Sequence, residues 1–282
     1  MSKVFVFGTV AADIVIRVKV MPAAGEHRNG EFLGWRIGGA ANIACAMRSA
    51  GHEVQLVSAI GMDRLADALV AGLHERGVET DHAVRVPAAA PRALIFVDDD
   101  GERTILGLAS EHWPSRLTLP QLPDLRSADC LYVESYARYP PSLAAAAPAA
   151  LIATLPPERP GETGPADLVI GSKSELPSSW RTSPFAVARS ELGSRLRWVV
   201  VTDGPRGAVA YRAEGTCRVP ARPARQVDAT GAGDAFIAGV LHGLLEGSEI
   251  QQAMDVGARW GAATVQSLQS VPPPWEEVLE RG

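Results

Sequence analysis

The chain has 282 residues, 46% of them hydrophobic, and a formal net charge of −5 at pH 7. This length suits one large α/β domain or a domain with a small appendage, and we expect the latter. Basic residues form no run and do not alternate with aromatic ones, so the composition gives no sign of a nucleic-acid partner. The expected ligand is a small molecule.

Cysteine usage and hydropathy predict a soluble cytoplasmic protein. Cys45, Cys130 and Cys217 lie far apart and form no CxxC pair, so we expect buried unpaired thiols and no zinc site. The six histidines show no metal-ligand spacing. The apolar run near the N-terminus is short and is broken by Asp13, and no longer run follows, so neither a signal peptide nor contact with a membrane is predicted.

The first predicted element is a buried strand over residues 4–7, which ends at Gly8. Asp13 follows just beyond its end, and residues 14–18 predict another short strand. Ligands bind at the carboxyl ends of strands in open α/β sheets, so Asp13 is a candidate for substrate binding. A solvated loop aspartate explains this residue equally well when it is taken alone.

A glycine pair then opens the first predicted helix. Gly38 and Gly39 predict a sharp bend into a helix of small residues over 40–50, which Gly51 closes. Asn42 falls in the first turn of this helix, and its side chain would face the same binding cleft as Asp13. A tight turn with a capping asparagine is the better explanation when this cluster is taken alone.

The next segments combine a strand–helix rhythm with a hairpin. Residues 54–60 predict a buried strand, and the leucine spacing after it predicts a helix that ends at Gly77. Residues 92–97 and 102–106 then predict a hairpin with an Asp-Gly turn. Because a doubly wound sheet has no obvious place for this hairpin, we expect it to join residues 14–18 in a small flanking sheet that serves as a lid.

The middle of the chain predicts strands with polar residues at their ends. Glu134 follows one such strand, and Ser172 and Glu175 follow another. The segment TDGPRG follows a third strand and is by default a turn into a second hairpin. The predicted elements are strands over 130–133, 151–153, 168–170 and 198–201, helices over 141–150 and 250–268, an exposed loop over 155–165 and a hairpin over 209–219.

Most of the functional signal lies in the stretch VDATGAGDAFIAGVLHGLL at residues 227–245. Gly231, Ala232 and Gly233 are small enough to let backbone N–H groups converge on a ligand. The helix that follows is apolar nearly all round, which predicts that it is buried. Its N-terminus offers unpaired N–H donors and the positive end of the helix dipole, so a phosphate is expected there.

Asp234 lies in the first turn of this helix, where the field of the helix should keep its carboxylate ionised. An ionised carboxylate beside a phosphate is a candidate proton acceptor. A helix-capping role explains a lone GAGD motif at least as well.

Two other phosphate-binding motifs do not fit. A P-loop requires a lysine directly after a glycine, but Lys3, Lys19 and Lys173 all follow other residues. A dinucleotide fingerprint requires a third glycine where Phe236 stands, which argues against a nicotinamide-dependent oxidoreductase.

Taken together, the two glycine clusters resemble the signatures of the ribokinase-like carbohydrate kinase family, also called the phosphofructokinase B type. GGAANIACAM at 38–47 resembles the N-terminal signature and DATGAGDAFIAG at 228–239 the C-terminal one. The resemblance covers essentially the whole chain. It implies a three-layer αβα fold with a doubly wound, mostly parallel sheet, in which residues 1–282 form one domain and segments at about 12–36 and 90–107 form a β-sheet lid.

The resemblance also implies an ATP-dependent transfer of a phosphoryl group to an alcohol of a sugar or nucleoside. Asp234 would take the proton from the substrate hydroxyl. The turn at Gly231 and the N–H groups of Ala232, Gly233 and Asp234 would hold the γ-phosphate. Preorganised donors suit this reaction because phosphoryl transfer depends on positioning and on stabilisation of charge.

The resemblance assigns further residues to binding. On the substrate side these are Asp13, Gly38, Gly39, Asn42, Glu134 and Arg103. On the nucleotide side they are Ser172, Thr202, Asp203, Gly204 and Gly207, with Glu175 as the acid that positions Mg²⁺ through water. Asp228 and Thr230 match positions that bind a monovalent cation such as K⁺ in some members.

Several points stay open at this stage. The family usually has an asparagine where Ser172 stands, which leaves a non-catalytic sugar- or nucleoside-binding or regulatory protein as the alternative. A phosphorylated substrate would require a basic cluster, to which Arg28, Arg36 and Arg103 would contribute, while a free pentose, hexose, sugar acid or nucleoside would not. If the hairpins form a lid, its exposed sheet edges predict a homodimer interface.

Overall fold

The computed structural model describes residues 1–99, 102–108, 110, 112–115, 117, 123–139, 142–159, 162 and 164–280. Within these ranges the strands are β1 Lys3–Phe7, β2 Val10–Arg17, β3 Glu31–Gly39, β4 Glu53–Val57, β5 Ala59–Ile60, β6 Val84–Arg85, β7 Arg92–Val97, β8 Arg103–Leu108, β9 Cys130–Val133, β10 Leu151–Thr154, β11 Leu168–Ser172, β12 Trp198–Thr202, β13 Ala208–Arg212 and β14 Gly215–Val219. The α-helices are α1 Ala41–Ser49, α2 Arg64–Glu75, α3 Leu143–Ala146, α4 Pro184–Leu192, α5 Ala232–Leu245, α6 Ile250–Thr264 and α7 Trp275–Glu280.

The large sheet has the strand order β14-β13-β12-β11-β10-β9-β1-β4. Its strands from β12 to β4 pair in parallel, and β13 and β14 extend it with antiparallel pairs. Successive side chains of a strand point to opposite faces. Val4 and Val6 of β1 therefore pack with α1, α2, α5 and α6 on one face, while Phe5 and Phe7 pack with α3 and α4 on the other. The predicted three-layer, mostly parallel architecture is confirmed.

The small sheet has the order β3-β2-β7-β8 and contains the predicted hairpin as β7 and β8. Asp13 of β2 is the register partner of Arg36 of β3, so both side chains lie on the same face. We call this the inner face, because Arg36 contacts Asp228 in the stretch that precedes α5. The outer face is defined by a row of register partners, Trp35, Ile14, Leu94 and Leu106.

The positions of some elements differ from the predictions. Asp13 lies within β2 and not beyond a strand end, because that strand begins at Val10. The sequence pattern does not predict β3, because the strand contains three glycines, Gly34, Gly38 and Gly39, and follows a polar segment. The strand predicted over 54–60 divides at Ser58, and its second part leaves the large sheet to pair with β6.

The C-terminal half also departs from the predictions in places. The second hairpin, β13 and β14, forms one edge of the large sheet and not part of the lid. The helix predicted over 250–268 ends at Thr264, and α4 and α7 are not predicted. The first hairpin's turn (100–101), the start of the helix predicted over 141–150, and part of the loop over 155–165 lie outside the described residues. None of the helices within the described ranges is both long enough and apolar enough to cross a bilayer.

Candidate active site

The entry into α5 is a tight turn that only glycine tolerates. Gly231 has a φ of 78°, in the left-handed region, and a Cβ atom placed on it would lie 2.0 Å from the backbone oxygen of Ser270. Its carbonyl accepts the helical hydrogen bond from the N–H of Ala235 at 2.9 Å. Gly231 therefore lets the chain enter the helix with its first amides turned outwards.

Two of the three amides expected to hold a phosphate are open. The N–H of Ala232 donates to the carbonyl of Ala229 at 3.3 Å. Among the described residues, the N–H groups of Gly233 and Asp234 have no hydrogen-bond partner. Gly233 is exposed, with open space where a side chain would be. The anion-binding donors that the structure offers are thus the amides of Gly233 and Asp234, at the positive end of a buried helix.

The carboxylate of Asp234 does not cap the helix. The N-cap position is Gly231, and Asp234 Oδ2 instead accepts a hydrogen bond from Asn42 Nδ2 at 2.9 Å. Burial raises the pKa of Asp234 to about 7, helped by the neighbouring carboxylates of Glu134 and Asp13 and opposed by Asn42 and Arg103. The sequence predicts that the helix field keeps this carboxylate ionised, whereas the raised pKa indicates a carboxyl group that titrates near neutral pH.

Asn42 does not cap its own helix either. The N-cap of α1 is Ala40, and no side chain caps that helix end. The amide nitrogen of Asn42 is committed to Asp234, while its Oδ1 is a buried acceptor without a partner in the described part of the chain. A buried acceptor without a donor is uncommon, so this oxygen suits a hydroxyl supplied by a ligand.

Asp13 lies on the inner face of the small sheet and is 7% exposed, so it is not a solvated loop residue. Burial raises its pKa to about 6, opposed by the Ser270 hydroxyl and by the guanidinium of Arg36. Gly38 is required beside it, because a Cβ atom there would lie 2.3 Å from Asp13 Oδ2. Gly39, with a φ of 73°, similarly passes close to the carbonyl of Thr9.

Glu134 stands at the carboxyl end of β9, as predicted, and is held by Thr9. The N–H and the Oγ1 hydroxyl of Thr9 both donate to Glu134 Oε2 at 2.8 Å. Burial raises the pKa of Glu134, and these two hydrogen bonds lower it. Gly8 makes this approach feasible, because a Cβ atom there would meet Ala40 Cβ at 2.2 Å and Glu134 Cβ at 3.1 Å.

Tyr132 is a buried phenol next to the candidate site residues. It is buried in β9, and burial raises the pKa of its phenol, together with the charges of Glu134, Asp234 and Glu175. These three acids, which follow β9, lie in the first turn of α5 and follow β11, are therefore close enough to act electrostatically on one side chain.

The nucleotide-side residues lie at the carboxyl ends of β11 and β12. Ser172 is the register partner of Thr202, so both are the last residues of neighbouring strands. Glu175 is exposed, and its Oε2 accepts a hydrogen bond from the N–H of Ser172 at 3.0 Å. The Ser172 hydroxyl pairs with that of Ser174 at 2.8 Å. An exposed carboxylate with one oxygen engaged suits contact with hydrated Mg²⁺.

The TDGPRG segment forms a short turn between β12 and β13. Asp203 accepts hydrogen bonds from Arg206 at 2.6 Å and from Lys173 at 3.0 Å, and these two cations hold the pKa of its carboxyl well below the usual range. Gly207 has a φ of 86°, and a Cβ atom on it would lie 2.1 Å from the carbonyl of Val219. Gly204 also has a positive φ, of 52°, but has open space around it.

Two arginines of the lid reach the stretch before α5. Arg36 Nη1 donates to Asp228 Oδ2 at 3.0 Å, and Arg103 Nη1 donates to the carbonyl of Ala229. The other oxygen of Asp228 accepts the N–H of Thr230 at 2.8 Å. The lid is therefore joined by hydrogen bonds to the loop that leads into α5.

Sequence reasoning missed several of these contacts. Thr9 is the residue that holds Glu134, Ser270 lies against Asp13 and Gly231, and Tyr132 lies among three acids. Thr9 directly follows the strand end at Gly8, so its position alone was a usable signal. Nothing local in the sequence marks Ser270.

Comparison with known proteins gives a consistent picture. The family model described as pfkB family carbohydrate kinase matches residues 1–156 and 164–277. The ribokinase of Lactococcus lactis subsp. lactis is 27% identical over 266 residues, which cover 90% of this chain and 87% of that protein. The ATP-dependent ribose-1-phosphate kinase of Halopiger xanaduensis is 28% identical over 281 residues, which cover 94% of this chain and 92% of that protein.

A solved structure supports the fold. The ribokinase from Cryptococcus neoformans var. grubii, crystallised in complex with ADP, matches with a TM-score of 0.79 at 23% sequence identity, and the match covers 100% of both chains. At this level of identity the likeness concerns the arrangement of strands and helices.

Proposed function

Because this chain belongs to the pfkB family of carbohydrate kinases, we propose that it transfers the γ-phosphoryl group of ATP to a hydroxyl group of a sugar, a sugar derivative or a nucleoside. Kinases of this family are phosphotransferases with an alcohol as acceptor.

A single observation carries the proposal: the carboxyl of Asp234, whose pKa is about 7, lies in the same helical turn as two open amides. A general base works best when its pKa is close to the pH at which the enzyme operates. Backbone amides without partners stabilise the charge that develops on a transferring phosphoryl group. Phosphoryl transfer to an alcohol uses both features, a base for the hydroxyl proton and donors for the developing charge.

In the proposed mechanism, Asp234 accepts the proton of the substrate hydroxyl. The alcohol oxygen forms a new bond to the γ-phosphorus, and the bond between that phosphorus and the β,γ-bridging oxygen breaks, with its electron pair leaving on ADP. The amides of Gly233 and Asp234 hold the non-bridging oxygens throughout. Asn42 keeps the Asp234 carboxylate oriented through the hydrogen bond to Oδ2.

Magnesium fits the residues at the nucleotide side. Glu175 offers an exposed carboxylate, and Mg²⁺ in nucleotide sites usually keeps several waters and binds through one or two carboxylates and the phosphates. Bound Mg²⁺ would neutralise charge on the β- and γ-phosphates. Glu175 would hold it through water, and the N–H of Ser172 fixes the orientation of that carboxylate.

A monovalent cation does not fit the expected site. Asp228 and Thr230 were its predicted ligands, but the two carboxylate oxygens of Asp228 are engaged by Arg36 and by the Thr230 N–H. Thr230 Oγ1, a buried atom without a partner in the described ranges, is a single oxygen where K⁺ needs a shell of several to replace its water.

The charges of the site favour an unphosphorylated acceptor. The three arginines that would form a phosphate-binding cluster already have protein partners: Arg28 pairs with Glu26, Arg36 with Asp228, and Arg103 with Ala229. The groups facing the cleft are acceptors instead, namely the carboxylates of Asp13 and Glu134 and the free Oδ1 of Asn42. Such a set binds the hydroxyl donors of a polyol.

A non-catalytic binding protein is the less favoured function. A binder gains nothing from a carboxyl with a pKa of about 7 at a phosphate site, because a neighbouring acid repels the ligand when it ionises. The serine at position 172 would remain compatible with either function.

The test is a panel of free pentoses, hexoses, sugar acids, cyclic polyols and nucleosides with ATP and Mg²⁺, read as ADP release. Ribose 1-phosphate is included because one relative of this chain is named an ATP-dependent ribose-1-phosphate kinase. We expect ADP release with at least one unphosphorylated acceptor and none above background without an acceptor. Saturable binding of these compounds without ADP release from any of them would favour the binding protein.

A further inference from the structure

We propose that the guanidinium of Arg36 permanently fills the place of a monovalent cation beside the anion site, so that the enzyme requires neither K⁺ nor NH₄⁺. This inference rests on the proposed kinase function. Its basis is that the Asp228 carboxylate, which a bound cation would contact, is already paired with Arg36.

Arg36 and Asp228 form the most deeply buried ion pair described in the structure. The side chains are 9% and 1% exposed, and Arg36 Nη1 lies 3.0 Å from Asp228 Oδ2. A buried carboxylate is stable only when a cation and hydrogen bonds compensate its charge. Here the guanidinium supplies the charge, and the N–H of Thr230 satisfies the second oxygen at 2.8 Å.

The position of the pair links it to the reacting groups. Asp228 lies three residues before Gly231, in the loop that leads into α5. The open amides of Gly233 and Asp234 belong to the first turn of that helix. On the lid side, Arg36 is the register partner of Asp13 and lowers its pKa. One guanidinium therefore interacts with two carboxylates, that of Asp228 by a hydrogen bond and that of Asp13 by its charge, and is joined to the loop that leads into α5.

A second cation at this place would be repelled. K⁺ bound to Asp228 would have to sit within a few ångströms of the guanidinium, in a region from which solvent is largely excluded. The charge of Asp228 is already neutralised, so the ion would gain little from the carboxylate and would face a like charge. Arg36 also belongs to the lid, so its charge is covalently tied to the element that covers the substrate.

The experiment compares potassium, sodium and tetramethylammonium chloride at equal ionic strength. For the unmodified protein we expect rates of ADP release that agree within about twofold in the three salts. Activation by potassium of about tenfold or more over tetramethylammonium would overturn the inference.

The Arg36→Met variant tests the role of the guanidinium itself. We expect a loss of at least about tenfold in kcat/KM in tetramethylammonium, with part of the loss recovered by potassium, because Asp228 is then free to bind an ion. Arg36→Lys keeps a positive charge and should stay independent of potassium. The matched control is Arg17→Met, which breaks the exposed ion pair of 3.0 Å between Arg17 of β2 and Glu31 of β3 in the same small sheet and should leave activity unchanged.

A second readout does not depend on turnover. The unfolding temperature of the unmodified protein should be the same in potassium and in tetramethylammonium, whereas Arg36→Met should be stabilised specifically by potassium. If no acceptor is phosphorylated in any salt, the proposed function fails while this comparison still decides the cation inference. Potassium-specific stabilisation of the unmodified protein would contradict it, as would an Arg36→Met variant indifferent to potassium in both assays.

Discussion

At the scale of single residues, the proposed chemistry depends on the surroundings of the Asp234 carboxyl group. Burial and the carboxylates of Glu134 and Asp13 favour its protonated form, while the Asn42 amide and the Arg103 guanidinium favour its ionised form. The balance leaves its pKa at about 7, well above the ordinary value of 3.8. A carboxylate with this pKa can accept a proton near neutral pH.

This balance predicts the pH dependence of the reaction. Asp234 accepts a proton only when it is ionised, so kcat/KM should fall as the pH is lowered through about 7 and level off above it. The measurement is the pH profile of kcat/KM for the best acceptor, with an acceptor whose own groups do not titrate in this range. A profile that stays flat down to pH 5 would show that the base has an ordinary carboxyl pKa.

Asn42 provides the second test at this scale. Asn42→Ala removes a hydrogen bond that lowers the pKa of Asp234, so the acidic limb of the profile should move to higher pH by about one unit. Asn29→Ala, on an exposed residue, is the control and should leave the profile in place. An Asn42→Ala profile identical to that of the unmodified protein would show that Asn42 does not position the Asp234 carboxylate.

At the scale of elements, the start of α5 depends on two glycines that differ in their surroundings. Gly231 has a positive φ and the Ser270 carbonyl 2.0 Å from where a Cβ atom would lie. Gly233 has helical geometry and no atom within 4 Å of that position. One glycine is required by the backbone, and the other leaves space for a ligand.

The two glycines therefore predict opposite effects of the same substitution. Gly231→Ala should lower the free energy of unfolding by about 2 kcal/mol or more, because both the strained φ and the contact with Ser270 oppose a side chain. Gly233→Ala should leave it unchanged or raise it by up to about 1 kcal/mol, since alanine favours a helix. Urea unfolding of both variants measures this difference, and an equal loss in both would contradict the assigned geometry.

The small sheet has two faces with different composition. Its inner face carries Asp13, Arg36 and Arg103, while its outer face exposes apolar side chains, among them Trp35 at 45% and Leu106 at 54%. We propose that a second copy of this chain covers the outer face, because an exposed apolar sheet face is a common interface.

The dimer proposal is tested by analytical ultracentrifugation. The unmodified protein should sediment as a dimer, and Trp35→Glu should sediment as a monomer, because a buried charge opposes association. Leu279→Glu changes a residue of similar exposure, 56%, on α7 and should leave the dimer intact. A monomeric unmodified protein at micromolar concentration would exclude this interface.

At the scale of the whole molecule, local signals in the sequence predict the architecture and the candidate anion site. Each of these features can be recognised from residues within one element. They are the buried strands, the hairpin of the lid and the apolar helix after GAGD. The ion pair of Arg36 and Asp228 joins residues 192 positions apart, and no local pattern marks it. The raised pKa of Asp234 likewise depends on burial and on groups from other elements, which become neighbours only in the fold.

The same long-range contacts bear on domain organisation. Arg36 and Arg103 join the lid to the loop before α5, and we propose that residues 1–282 form one domain with the lid inserted in it. Calorimetric unfolding should then show a single transition that bound ATP and Mg²⁺ move to higher temperature. Two resolved transitions, only one of them shifted by nucleotide, would indicate a lid that folds independently.

The most direct test of the central claim is the turnover of Asp234→Asn. We expect ADP formation in the presence of the acceptor to fall by roughly a hundredfold or more, because the base is lost, while calorimetric titration shows unchanged ATP binding through the amides. Since the folded state raises the pKa of Asp234, ionisation of this group disfavours folding as the pH rises from 4 to 8, so the variant should unfold at the same or a higher temperature at pH 8. Asp81→Asn, on an exposed residue, should behave as the unmodified protein. An Asp234→Asn variant that retains turnover within about threefold of the unmodified protein would contradict the account.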